Sequence, residues 1–137
     1  MRIELTEDLA TCHDLRRRVF IDEQGVSEAE EMDNLDATAL HLLGWHDGRA
    51  VATARIFLDG DQAKIGRVCV LADMRGTGAG VAIMRAAADE LAARGARRIK
   101  LSAQCYAIPF YEKLGYIAYG PEYPDAGIPH RDMVLEL

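Results

Sequence analysis

Three glycines fall within five residues in the segment Arg75-Gly76-Thr77-Gly78-Ala79-Gly80. The segment follows an apolar, strand-like stretch, Ala63 to Leu71. It opens directly onto residues whose apolar members, Val81, Met84, Ala88 and Leu91, recur at helical spacing. Few folds accommodate such a junction. The glycines let the backbone turn its N–H groups toward one point, and a helix starting near Gly80 adds free N–H groups and the positive end of its dipole. The product is an anion site, to which Arg75 can add a full charge. The helix stops near Arg94-Gly95 and Arg97 to Ala103 reads as a further strand. The loop therefore sits in a βαβ unit, right-handed if its strands are parallel.

Two nucleotide readings of this loop fail. A phosphate loop needs Gly-Lys followed by Ser or Thr, and none is present. A dinucleotide fingerprint counted from Gly76 needs Gly or Ala where the chain has Val81. It also needs an acid about 20 residues on, where the chain has Arg97, Arg98 and Lys100. What fits is Arg-x-x-Gly-x-Gly, realised as Arg75, Gly78 and Gly80.

Around this unit the periodicity predicts an α/β chain with antiparallel N-terminal strands. Met1 to Leu5 suits a short edge strand. Thr6 is placed to cap a helix whose buried face is Leu9, Cys12, Leu15, Val19 and Phe20, with Glu7 and Asp8 at its positive end. Glu23 to Asp36 is acidic and irregular, with room for a short helical turn; its charges are expected to be solvated. His41 to His46, Ala50 to Leu58 and Ala63 to Leu71 form a meander, turned at Asp47-Gly48 and Asp59-Gly60-Asp61. Pro109 opens a short helix that Gly115 ends. Tyr116 to Tyr119 and Arg131 to Leu137 read as closing strands, and the proline- and glycine-rich stretch Gly120 to His130 as a loop. At 137 residues the expectation is one domain spanning 1–137.

Composition narrows the partners. With 16 basic and 22 acidic residues the net charge is −6, which argues against general nucleic-acid binding. No apolar run approaches the roughly 18 residues of a membrane span. Met1 to Ala10 lacks the apolar core of a signal peptide. Cys12, Cys69 and Cys105 form no C-x-x-C, and His13, His41, His46 and His130 have no metal-ligand spacing, so neither a disulfide framework nor a metal is expected. The expected compartment is the cytoplasm.

A second motif lies downstream: Gln104-Cys105-Tyr106-Ala107-Ile108-Pro109-Phe110-Tyr111-Glu112-Lys113-Leu114-Gly115-Tyr116. With the Arg75 loop before it, this resembles the two-part signature of the GNAT N-acetyltransferase family, though members usually carry Asn where this chain has Gln104. Val19-Phe20, Glu23-Gln24-Gly25 and Gly127-Ile128-Pro129-His130 extend the similarity toward the ElaA-like branch. The resemblance implies a GNAT-like mixed sheet with helices on both faces and an acyl-CoA-binding βαβ unit. It implies acetyl-CoA as cosubstrate, held by Arg75, Gly76, Thr77, Gly78, Ala79 and Gly80. Backbone groups of Val68, Cys69 and Val70 would meet the pantetheine arm, with Gln104, Phe110 and Lys113 nearby.

The implied reaction moves an acetyl group directly to an amine, of a small molecule or a peptide, in a ternary complex. Tyr111 would donate a proton to the departing thiolate, and a strand N–H near Val70 would stabilise the oxyanion. Lys113 reads equally well as an exposed helix lysine. The general base stays open among Glu23, Asp33, Asp36, His41, Glu122 and His130, with Glu23 and His130 foremost. Cys105 has no activating His or Asp nearby in sequence, which argues against a covalent route. The alternative is a CoA-binding regulatory module that transfers nothing. Homodimers are common among such proteins.

Overall fold

A computed structural model describes all 137 residues. The strands are β1 (Arg2–Thr6), β2 (Leu40–His46), β3 (Arg49–Asp59), β4 (Gln62–Val70), β5 (Arg98–Gln104), β6 (Ile117–Asp125) and β7 (Ile128–Glu136). The helices are α1 (Leu9–Arg16), α2 (Glu28–Glu31), α3 (Ala79–Ala93) and α4 (Ile108–Glu112), and α1 runs on as a wider π-helical segment, Arg17–Glu23. The α1 cap differs from expectation. Thr6 closes β1 and accepts the Asp8 N–H at 3.0 Å, while Asp8 caps the helix by accepting the Thr11 N–H at 3.2 Å.

One seven-stranded sheet has the order β1-β2-β3-β4-β5-β7-β6, antiparallel everywhere except between β4 and β5. The turns match their residues: Asp47 (φ 51°) with Gly48 (φ 75°), and Ala126 (φ 52°) with Gly127 (φ 75°), both have the left-handed pairs of a tight hairpin. Val51 through Ile56 are all buried, which a strand achieves only when both faces are covered. Alternation sends Val51, Thr53 and Arg55 to one face and Ala52, Ala54 and Ile56 to the other. The mixed α/β sheet matches the expected fold class.

The stretch Gly120 to His130 is not a loop. β6 runs to Asp125 and pairs with β7, with a shift of register between Tyr119 and Tyr123 that takes up the Gly120-Pro121-Glu122 irregularity. Pro121 and Pro124 fit because β6 is an edge strand, and Pro129 lies on β7 just outside its pairing with β5, which reaches only to His130.

Two features of β4 open the sheet. Its parallel pairing with β5 covers only Gln62 to Lys64 against Arg98 to Lys100. Beyond that, one extra β4 residue lies between the pairs Arg55–Gly66 and Thr53–Cys69, and Arg67 there takes φ 49°. A bulge bends its strand. Meanwhile β5 stays paired with β7 along its full length, so the two parallel strands diverge.

Candidate active site

The divergence creates a cavity of about 910 Å³ whose walls include Val68, Cys69 and Val70 of β4, Gln104 of β5, Phe110 and Tyr111 of α4, and His130 of β7. Leu71 donates its N–H to Val51 of β3 at 2.9 Å. Along an antiparallel strand these groups alternate, so the Val70 N–H points away from β3, into the cleft that β5 has vacated.

The glycine loop closes one end. Gly76 (φ 78°) and Gly78 (φ 88°) take left-handed conformations that a side chain would strain. Gly80 serves contact instead: a Cβ there would stand 3.2 Å from the Phe110 ring. Gly78 caps α3 with no side chain, and Ala82 is the first residue to donate back, to Gly78 O at 3.0 Å. The N–H groups of Ala79, Gly80 and Val81 thus have no helical partner, the condition for holding an anion. Thr77 turns its hydroxyl back onto the Met74 carbonyl at 2.5 Å.

Arg75 donates through Nε and Nη2 to the Val70 carbonyl at 3.1 and 3.0 Å, and grips Glu23 with both terminal nitrogens, Nη2 to Oε1 at 2.8 Å. This hydrogen-bonded pairing holds the Glu23 carboxyl below the usual carboxylate range. The next residue, Gln24, exchanges amide hydrogen bonds of 2.8 and 3.3 Å with Gln104. The end of the π-helical segment is thereby tied to both sides of the cleft.

Tyr111 packs edge-on between Phe110, at 5.0 Å between ring centroids, and Tyr116, at 6.1 Å. Burial pushes its phenol well above the usual tyrosine range, so it holds its proton. His130, 8% exposed, places Nδ1 at 2.7 Å from the Ile128 carbonyl. A carbonyl only accepts, so Nδ1 carries the proton, and in the neutral ring Nε2 is the nitrogen that can accept one. The ring stacks on Tyr123 at 6.2 Å, and Tyr123 in turn donates to Asp132 at 2.5 Å and bonds Ser102. Lys113, exposed at the C-terminal end of α4, is not among the residues that line the cavity.

Of the acidic stretch before β2, Glu23, Glu28 and Glu30 are exposed, but Glu31, Asp33 and Asp36 are paired with basic side chains rather than solvated. Glu31 meets Arg16 at 2.5 Å, and Asp36 meets Arg16 at 2.8 Å and His13 at 2.9 Å. Asp33 takes both terminal nitrogens of Arg55, at 2.7 and 2.6 Å, and one of Arg67, at 3.1 Å. Arg16 is 1% exposed and Arg55 5%. This buried network was missed, along with Gln24 and Arg67 as cavity residues. Its signal was present in the sequence: Arg16 lies on the apolar stripe of α1 and Arg55 at an inward position of an apolar strand. The acids that neutralise them are those of the connection. His41 lies on the same side, with Nε2 2.9 Å from the Asp36 carbonyl. Glu122 lies exposed on β6, and Cys105 is a free thiol whose pKa is raised, chiefly by burial.

Comparisons with known proteins bear on this geometry. A family profile described as an acetyltransferase (GNAT) domain matches residues 7–137. The uncharacterized N-acetyltransferase YjcF of Bacillus subtilis is 36% identical over 131 residues, covering 95% of this chain and 94% of its own. The ElaA protein of Escherichia coli is 32% identical over 128 residues, covering 90% and 84%. The crystal structure of ElaA superposes with a TM-score of 0.86 over 98% of this chain and 100% of that one, at 29% identity. An acyl-CoA N-acyltransferase from Pseudomonas aeruginosa gives 0.85 over 98% and 99%, at 28% identity.

Proposed function

The chain belongs to the GNAT acetyltransferase family, and from that premise we propose that this N-acetyltransferase moves the acetyl group of acetyl-CoA directly to an amine held in the same cavity. The observation that carries the reading is the Val70 N–H, turned away from β3 where β4 diverges from β5, on a cavity that the uncapped start of α3 and Tyr111 also line. The residues present fit the cosubstrate: the unpartnered N–H groups at the start of α3, with Arg75, suit a pyrophosphate, and the exposed edge of β4 suits an amide-bearing arm. Bound acetyl-CoA supplies an activated thioester.

The chain supplies the rest. The Val70 N–H faces the position of a developing oxyanion. His130 Nε2 accepts a proton from the amine, its ring fixed by the Ile128 carbonyl and Tyr123. Tyr111, kept protonated by burial, gives a proton to the leaving sulfur. Glu23 is the weaker base, because Arg75 occupies both of its oxygens. One cavity lets both substrates be held together, and such proximity supplies much of the rate.

The test is release of free thiol from acetyl-CoA across a panel of amines. Wild-type protein turns over, while Tyr111→Phe and His130→Gln each lose about 10²-fold or more in kcat with acetyl-CoA affinity retained. Phenylalanine keeps the edge-on packing, so a Tyr111→Phe protein of full activity overturns the proton-donor role. A wild-type protein that binds acetyl-CoA but releases no thiol is a regulatory module.

A further inference from the structure

Arg67 is the residue that the fold goes furthest to place. It occupies the β4 bulge with φ 49°, a conformation in which an arginine is uncommon, and its side chain lines the cavity. Left-handed backbone at a non-glycine residue persists only where the surroundings hold it, and bulges re-aim side chains beside active sites.

The guanidinium is only partly neutralised. Nη2 takes Asp33 Oδ2 and the Glu31 carbonyl, both at 3.1 Å, and the Glu30 carbonyl at 3.4 Å. Nε is buried without a hydrogen bond, its nearest carboxylate oxygen being Glu31 Oε1 at 3.8 Å. Nη1 makes no bond within the chain. The carboxylates of the network are concentrated on Arg16 and Arg55, which hold Glu31, Asp36 and both oxygens of Asp33. Burial, with repulsion from Arg55, lowers the Arg67 pKa, as expected for an under-compensated cation.

Beside it the cavity has room. Gly66 has ordinary φ, and a Cβ there would meet nothing within 4 Å. The absent side chain leaves open space next to a partly free guanidinium. Of the acids lining the cavity, Glu31 is buried but neutralised by Arg16, and Glu30 and Asp125 are exposed to solvent, whereas Arg67 is three-quarters withdrawn, with 25% of its side chain exposed. A charge in the less polar position acts more strongly on a ligand.

Building on the transferase reading, we propose that the acceptor is an amine that also carries a carboxylate, received by Arg67 over the open floor at Gly66. The unbonded Nη1 of Arg67 can give a carboxylate a charge-assisted hydrogen bond. The same chemistry is offered by a free amino acid and by an acidic residue at a peptide N-terminus, and the assay separates the two.

Thiol release is measured with phenylalanine, phenylalaninamide and phenethylamine, and with a peptide amide beginning in Asp against its Asn counterpart. The amide's amine is less basic than the amino acid's and that of phenethylamine more basic, so a preference for the acid over both cannot arise from amine protonation. The expected result is a kcat/KM at least tenfold higher for a carboxylate member than for its neutral partners, expressed in KM. If phenylalanine is the preferred member the source is a free amino acid; if the Asp peptide is, it is a peptide. In Arg67→Gln the preference collapses to within about twofold, Arg67→Lys keeps part of it, and Gly66→Val raises KM for carboxylate acceptors. Turnover of neutral amines equal to or better than their acids by the wild type overturns the proposal and leaves the transferase reading standing, even should Arg67 variants fail to fold. Retention of the preference by a folded Arg67→Gln protein overturns it as well. No turnover with any member overturns both.

Discussion

The Arg75 guanidinium is held at one end by the Val70 carbonyl and at the other by Glu23, so the pyrophosphate of the proposed cosubstrate would compete with a carboxylate for it. Both partners of this pair are more than 40% exposed, and exposed ion pairs contribute at most about 1 kcal/mol. Glu23→Gln should therefore tighten acetyl-CoA binding by a few-fold with kcat within about twofold of wild type, measured by calorimetry and thiol release. A large loss of kcat would reinstate Glu23 as the base. Arg75→Glu should abolish binding, seen as loss of the ligand-induced rise in melting temperature. For wild type that rise corresponds to about 2.7 kcal/mol at a hundredfold excess over Kd.

At the scale of elements, the connection between α1 and β2 is bound to the sheet by charge more than by apolar packing. Leu35 and Met32 are exposed, while Glu31 is 3% exposed and bonded to Arg16. Removing one member of a buried pair leaves the others uncompensated, at a cost of about 3–5 kcal/mol. Arg16→Leu should lose that much in urea unfolding, even though leucine suits the apolar stripe of α1. Asp33→Asn should be milder for the fold but should loosen Arg55 and Arg67 together, because its two oxygens serve both. The composition of Glu23 to Asp36 suggested a solvated loop, because a local reading sees unpaired acids. Their partners lie on α1, β3, β4 and the glycine loop, up to 52 residues away in sequence, and only folding brings them together.

For the whole molecule, the network sets a pH dependence. Asp33 is pulled down from 3.8 to about 2, mainly by its hydrogen bonds to Arg55. Asp36 is pulled lower still, its bonds to Arg16 and His13 outweighing the opposing effect of burial. A carboxylate whose pKa is lower folded than unfolded stabilises the fold above its unfolded value and loses that contribution as pH falls through the folded one. The urea midpoint should be insensitive to these groups above about pH 5 and should fall steeply between about pH 4 and pH 2. Asp33→Asn should flatten that acid limb; an unchanged limb would place the acid sensitivity elsewhere. Much of the architecture was legible locally. Gly76, Gly78 and Gly80 fix a strand-to-helix turn, Asp47-Gly48 fixes a hairpin, and Phe110 to Gly115 fixes a short helix, because backbone conformation and helical spacing are properties of neighbouring residues. The glycine turn could be located for the same reason, whereas Tyr111 was singled out by its place in the motif that resembles the GNAT signature. The strand character of Gly120 to His130 was hidden, since Pro121 and Pro124 are tolerated because β6 lies at the sheet edge and Pro129 because it lies beyond the β5 pairing. The opening between β4 and β5, the hold of Glu23 on Arg75 and the aim of Arg67 were equally out of reach, because each depends on groups far apart in sequence. The sequence by itself determined the glycine turn and the helix and strands around it; the tertiary structure decided which charges are neutralised and which are left unpaired, because burial and pairing are set by what the fold places alongside.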